Sequence, residues 1–152
     1  MKGSDWVGID TNVLVIADNP SHPHHFQARK ILEDVLRKAV KGCLSHQVLA
    51  EYYAVVTSPQ KIEQPLSAEE AKARVLYLEK VRSLKKIYPK RSTLKRCVMF
   101  CAEKDIRGAR FFDAFYAMNL LDNGVHKLIT QNVKDFIPFK ERGLEVVDPF
   151  QT

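Results

Sequence analysis

The stretch Trp6-Val7-Gly8-Ile9-Asp10-Thr11-Asn12-Val13-Leu14 decides how the chain folds. Its apolar start reads as a short buried strand ending at Asp10. The polar Asp10-Thr11-Asn12 follows at once. A helix fits Asn12 to Ala17, and Asp18-Asn19-Pro20 breaks it. A strand that runs directly into a helix opens an α/β unit. The polar residues between them then lie where parallel sheets bind ligands, beyond the carboxyl ends of the strands.

The alternation continues outward. From His24 to Val40, Ala28, Ile31, Leu32, Val35 and Ala39 recur at helical spacing until Lys41-Gly42. Cys43-Leu44-Ser45 reads as a second strand. Val48, Leu49, Tyr52, Val55 and Val56 mark a helix that stops at Ser58-Pro59. Ser67 and Glu70 form a capping box, and the helix they open carries Ala71, Val75 and Leu78 on one stripe. Lys86-Ile87-Tyr88-Pro89 breaks that helix and accommodates a short strand. Thr93 to Lys104 reads as a helix with Leu94, Cys97, Val98 and Cys101 inward, and Phe112 to Leu121 as another. Lys127 to Thr130 and Leu144 to Val147 are two further strands. Strands alternating with helices predict an α/β domain around a mostly parallel sheet. One domain over 1–152, with a helical excursion at about 59–89, is the simplest organisation.

The bulk properties agree. A chain of 152 residues, 45% of them hydrophobic, is long enough for one domain with a sizeable core, which excludes a disordered chain and a small disulfide scaffold. The three cysteines are an odd set without a neighbouring Cys/His cluster. Cys97 and Cys101, four apart, read as small core residues in a reducing cytosol. Met1 to Trp6 has no long apolar core, and no apolar run nears the length of a membrane span. The expectation is a cytoplasmic protein without signal peptide or membrane segment.

The net charge of +6 is local. Glu79 to Arg96 holds eight cations (Lys80, Arg82, Lys85, Lys86, Lys90, Arg91, Lys95, Arg96) against one acid, a segment of +7, so the rest of the chain sums to −1. Such a run suits an anionic partner such as nucleic acid, or forms a solvated face. With six glycines in all and none in the turn after Asp10, the chain has neither a P-loop nor a dinucleotide fingerprint.

Four acids stand out. Asp10 ends the first strand, where it also reads as a helix cap. Glu51 falls at the margin of its helix's apolar stripe. Asp113 shares a face with Ala117 and Leu120, an expensive place for an unpartnered carboxylate. Asp135 follows the Lys127–Thr130 strand, in Gln131-Asn132-Val133-Lys134-Asp135. Gathered at one sheet edge, these acids would repel one another. A hard divalent cation such as Mg²⁺ or Mn²⁺ relieves that repulsion. It takes one or two carboxylates directly and leaves the others to hold its waters. That arrangement serves phosphodiester hydrolysis.

The ordered set resembles the PIN-domain family, whose prokaryotic members include the VapC-type toxins. The resemblance rests on four motifs: Asp10-Thr11-Asn12-Val13-Leu14, Leu49-Ala50-Glu51-Tyr52-Tyr53, Asp113-Ala114-Phe115-Tyr116-Ala117 and Thr130-Gln131-Asn132-Val133-Lys134-Asp135-Phe136. It implies a three-layer α/β/α sandwich and a Mg²⁺- or Mn²⁺-dependent ribonuclease acting on unpaired RNA. It also implies a homodimer and, for a toxin, an antitoxin partner. Carried across, Asp10, Glu51 and Asp113 match the metal-site acids and Asp135 the acid of the last motif. Members differ over whether the residue at Asn132 or at Asp135 faces the metal. Thr11 and Thr130 match hydroxyls that line the site, with Asn12 and Asn132 beside them. Arg107 and Arg110, ahead of Asp113, are candidates for steering phosphate, or a solvated pair. Lys85, Lys86, Lys90, Arg91, Lys95 and Arg96 are candidates for holding RNA. His22-Pro23-His24-His25 reads as structural. Two other classes fit less well: a catalytically silent PIN-like RNA-binding or assembly module, and a small-molecule phosphatase, which has no need of an extended basic surface.

Overall fold

A computed structural model describes residues 5–151, so the first four residues of the Met1–Trp6 segment lie outside the described residues. Five strands and their helices alternate along it: β1 (Val7–Ile9), α1 (Thr11–Ala17), α2 (His25–Leu36), β2 (Gly42–Ser45), α3 (His46–Val56), α4 (Ala68–Lys80), β3 (Leu84–Ile87), α5 (Thr93–Lys104), α6 (Arg110–Asp122), β4 (Lys127–Ile129), a run of 3₁₀ turns (Val133–Arg142) and β5 (Glu145–Val147). The strands form one sheet in the order β3-β2-β1-β4-β5, and every pairing is parallel. The expected mostly parallel sheet is therefore entirely parallel, with β1 at its centre.

Two groups of helices sandwich it. α1, α2, α3 and α4 pack on one another, as do α5, α6 and the 3₁₀ run. The alternation of side chains along β1 assigns a face to each group. A Cβ on Gly8 would lie 2.7 Å from Leu120 of α6, so glycine lets that helix press onto the central strand. Ile9 points the other way, into a core shared with Val35 of α2 and Leu44. Residues 59–89 take part in this plan: α4 packs on α3, and β3 pairs with β2 from Gly42↔Leu84 to Ser45↔Ile87.

Local chemistry sets the element ends. Asp10, in extended conformation, caps α1 by accepting the Thr11 N–H at 2.8 Å. The Ser45 hydroxyl accepts from Val48 at the head of α3. At α4 both arms of the capping box are present, each at 3.1 Å. Two expectations need correction. α2 ends at Leu36 and not near Val40, because Lys38 turns left-handed (φ 66°) and the Ala39 and Val40 amides fold back onto the Asp34 carbonyl. In α5, Leu94 and Val98 face outward, while Phe100 turns inward with Cys97 and Cys101. Phe100 packs at 4.7 Å on Phe139 of the 3₁₀ run, so a distant element chooses the buried face. All three cysteines are buried and unbridged, and burial pushes the Cys43 thiol up to about 12.

A candidate acidic site at the carboxyl edge of the sheet

Asp10 leaves the carboxyl end of the central strand, and its neighbours β2 and β4 end beside it. β2 runs into α3, which carries Glu51. β4 runs into Thr130, Gln131 and Asn132, and the first turn of the 3₁₀ run carries Asp135. The first turn of α6 brings Asp113 to the same edge. Asp10, Thr11, Asn12, Glu51, Asp113, Gln131 and Asn132 all line one open cleft of about 580 Å³. Asp135 is not part of its wall, yet its charge acts on both Asp10 and Asp113.

Hydrogen bonds fix half of this set. Asp10 is 6% exposed; its Oδ1 is held by the Thr11 N–H and its Oδ2 by the Thr130 hydroxyl at 2.8 Å. The same Thr130 oxygen accepts from Asn12 Nδ2 at 3.1 Å and from the Asn132 N–H at 3.0 Å, while Asn12 Oδ1 accepts from the Gln131 N–H. Thr130, fully buried, is therefore the knot between the β1 and β4 ends. Glu51 accepts from Thr11 Oγ1 at 3.0 Å on one oxygen and from Gln47 Nε2 at 2.8 Å on the other. Gln47 Nε2 also donates to the Phe112 carbonyl at 2.9 Å, which ties α3 to the first turn of α6. Gln47 escapes the motif reading; its signal is the i,i+4 spacing to Glu51 on one helix face. Lys61 and His22 line the same cleft, and no motif marks them as site residues.

The electrostatics are those of crowded acids. Burial pushes the Asp10 carboxyl above its ordinary value, against the hydrogen bonds from Thr130 and Thr11, and the charges of Glu51 and Asp135 add to the rise. Asp113 is pushed up to about 7, first by burial and then by Asp10, Asp135 and Glu51; Arg110 partly offsets this. Among the described residues no three acids, histidines or cysteines converge as a ready-made cage. The donor set is nevertheless the one a small, hard cation takes, since such an ion binds few carboxylates directly and keeps its waters.

The basic residues divide. Arg107 is occupied by Asp105 at 2.7 Å. Arg96 pairs with Asp122, and Lys86 donates to the Val81 and Leu84 carbonyls, so both are tied to the fold. Lys85 lies 4.9 Å over the Trp6 ring. Lys90, Arg91 and Lys95 are exposed. The Lys90 N–H bonds Thr93, whose hydroxyl reaches Asp122 at the far end of α6 from Asp113. At 1.5 Å per residue, the basic segment begins about 14 Å along α6 from the acids.

No family model matches the chain. It is 29% identical to Ribonuclease VapC24 of Mycobacterium tuberculosis over 134 residues, 88% of this chain and 90% of that one. Solved structures share the fold at lower identity. They include VapC20 of M. tuberculosis, described as a Sarcin-Ricin loop cleaving toxin (14% identity, TM-score 0.60, 80% of this chain and 86% of that one). FitAcB of Neisseria gonorrhoeae matches with TM-score 0.63 (14% identity, 96% and 99% covered). VapBC2 of Rickettsia felis, bound to a promoter DNA fragment, also has TM-score 0.63 (20% identity, 93% and 97% covered). With its all-parallel sheet and a sequence match running through most of its length, the chain shares the PIN-like fold of these structures and is similar in sequence to a VapC ribonuclease.

Proposed function

We propose that the protein is a divalent-cation-dependent endoribonuclease and the toxin of a toxin–antitoxin pair. One observation carries the reading: the charges of Glu51 and Asp135 act on Asp10, and those of Asp10, Asp135 and Glu51 act on Asp113, four acids from four separate segments. The sequence match to a ribonuclease supports the same substrate class, and the Klebsiella pneumoniae toxin–antitoxin complex among the structural neighbours supports the partner.

Asp10, Glu51, Asp113 and Asp135 are the residues that would hold Mg²⁺ or Mn²⁺. The bound cation supplies charge neutralisation for the phosphate oxygens. Thr130 and Thr11 keep the Asp10 carboxylate pointed at the cleft, while Gln47 and Thr11 do the same for Glu51. Asp113 has no hydrogen-bond partner among the described residues, so its carboxylate is free to orient an attacking water beside the cation it would help to hold. The water oxygen bonds to phosphorus as the P–O3′ bond breaks, which leaves a 5′-phosphate and a 3′-hydroxyl. Arg110, close enough to lower the Asp113 value, stands ready to meet the incoming phosphate.

The test is cleavage of mixed RNAs with Mg²⁺, Mn²⁺ or chelator, for the wild type beside Asp10→Asn and Asp113→Asn. Both variants are expected to keep the wild-type circular dichroism and lose at least about 100-fold in rate. Wild-type rates in either variant, or undiminished cleavage in chelator, would overturn the assignment.

A further inference from the structure

A second cavity, of about 250 Å³, adjoins the acidic cleft and shares Val15, Asn19 and Ile62 with its wall. Sites for drug-sized ligands start at about 300 Å³, so this space takes one heterocycle and not a run of nucleotides. Val15, Val56, Ile62 and Leu66 supply aliphatic walls. The rest of the lining is mostly polar: the amides of Asn19 and Gln64, the exposed Glu63, and the Asp18–Arg74 ion pair at 2.9 Å. Asn19 Oδ1 is occupied by the Ser21 N–H at 3.2 Å, which leaves its Nδ2 to donate, and Gln64 is exposed. Aliphatic walls beside a polar rim of amides and charged groups suit a single nucleobase, whose faces are apolar and whose edge is polar. Proteins read RNA sequence in this way, from bases swung out of the stack.

We infer that this cavity binds one unstacked base of the RNA next to the phosphate held at the acids. The inference rests on the ribonuclease reading and names its substrate requirement: a base must be out of the stack beside the cut. The shared wall makes the arrangement compact. A phosphate at Asp10 and Asp113 and a base against Ile62 lie in adjoining spaces, so one nucleotide spans them.

The experiment measures binding of fluorescent single-stranded RNA to the full chain with Ca²⁺ in place of Mg²⁺, so that the acids still have a hard cation with which to hold phosphate. Each base around the cut site is replaced in turn by an abasic ribose. At one position the abasic RNA is expected to bind about tenfold more weakly. Ile62→Ala with Gln64→Ala is expected to lose that tenfold on intact RNA and to lose nothing further on the abasic one. Ser21→Phe, which plugs the rim from an exposed position, is expected to act alike, with thermal unfolding confirming that each variant folds. Less than a twofold effect at every abasic position, equal weakening of intact and abasic RNA, or no RNA binding at all overturns the inference. Cleavage of the same RNAs with Mn²⁺ separates the two readings. Position-dependent binding without cleavage sinks the nuclease and keeps the pocket, whereas cleavage indifferent to every abasic site does the reverse.

Discussion

Asp113 shows at the scale of one residue what the acidic edge costs the fold. Its carboxyl titrates at about 7, far above the ordinary Asp value near 4. The folded chain therefore holds a proton that the unfolded chain releases. The associated stability is fully present below about pH 4 and is lost as pH rises through about 7. In chelator, the wild-type Tm is expected to fall between about pH 4 and pH 7 more steeply than that of Asp113→Asn. Added Mn²⁺ is expected to recover more of the wild-type Tm at about pH 8 than at about pH 5, because the cation binds the ionised acids. Scanning calorimetry over that range checks both, and parallel Tm curves for the two proteins would contradict the argument. Residue chemistry of this kind was partly legible in the sequence. An acid flush with the apolar face at Ala117 and Leu120 is conspicuous in one dimension. Lys61 and His22 are not, because they reach the cleft only through the packing of the α1–α2 and α3–α4 connections around it.

Among the elements, the contact between β1 and α6 bears directly on the site. Gly8 abuts the fully buried Leu120 side chain, and α6 carries Asp113 at one end and Leu120 near the other. Gly8→Val is expected to destabilise the protein by about 1–3 kcal/mol, measured by urea unfolding, because the buried leucine has nowhere to retreat. It is also expected to slow any cleavage, since α6 can yield only by shifting Asp113. The strands and most helices could be read from the chain because their apolar spacing and caps are local: Ser67 and Glu70 announce α4 without help. The face of α5 could not be read, since Leu94 and Val98 are as apolar as Phe100, and the choice is made by Phe139, thirty-nine residues on. The end of α2 was equally hidden. A lysine, not a glycine, takes the left-handed turn at position 38.

Over the whole molecule, acid and base are separated. The acids crowd the carboxyl edge, while Lys90 and Arg91 begin a basic surface about 14 Å along α6. RNA reaching from one to the other would release counterions chiefly at the basic end, with Arg110 and Lys61 as the cations near the acids. Replacing Lys90 and Arg91 by Gln is expected to reduce the slope of log affinity against log salt by about 0.7 for each phosphate that these side chains neutralise. An unchanged slope would assign these residues to solubility. One further property follows from the hydrogen bond between Asp10 and Thr130, which joins positions 120 residues apart in the chain. The central strand, made first, stays without its β4 partner until Leu128 is added. The acidic edge therefore cannot assemble until the chain has been made beyond Thr130. A chain abandoned midway through synthesis carries Asp10 and Glu51 but no Asp113, no Thr130 and no assembled cleft. Translation aborted before Thr130 yields fragments without a site.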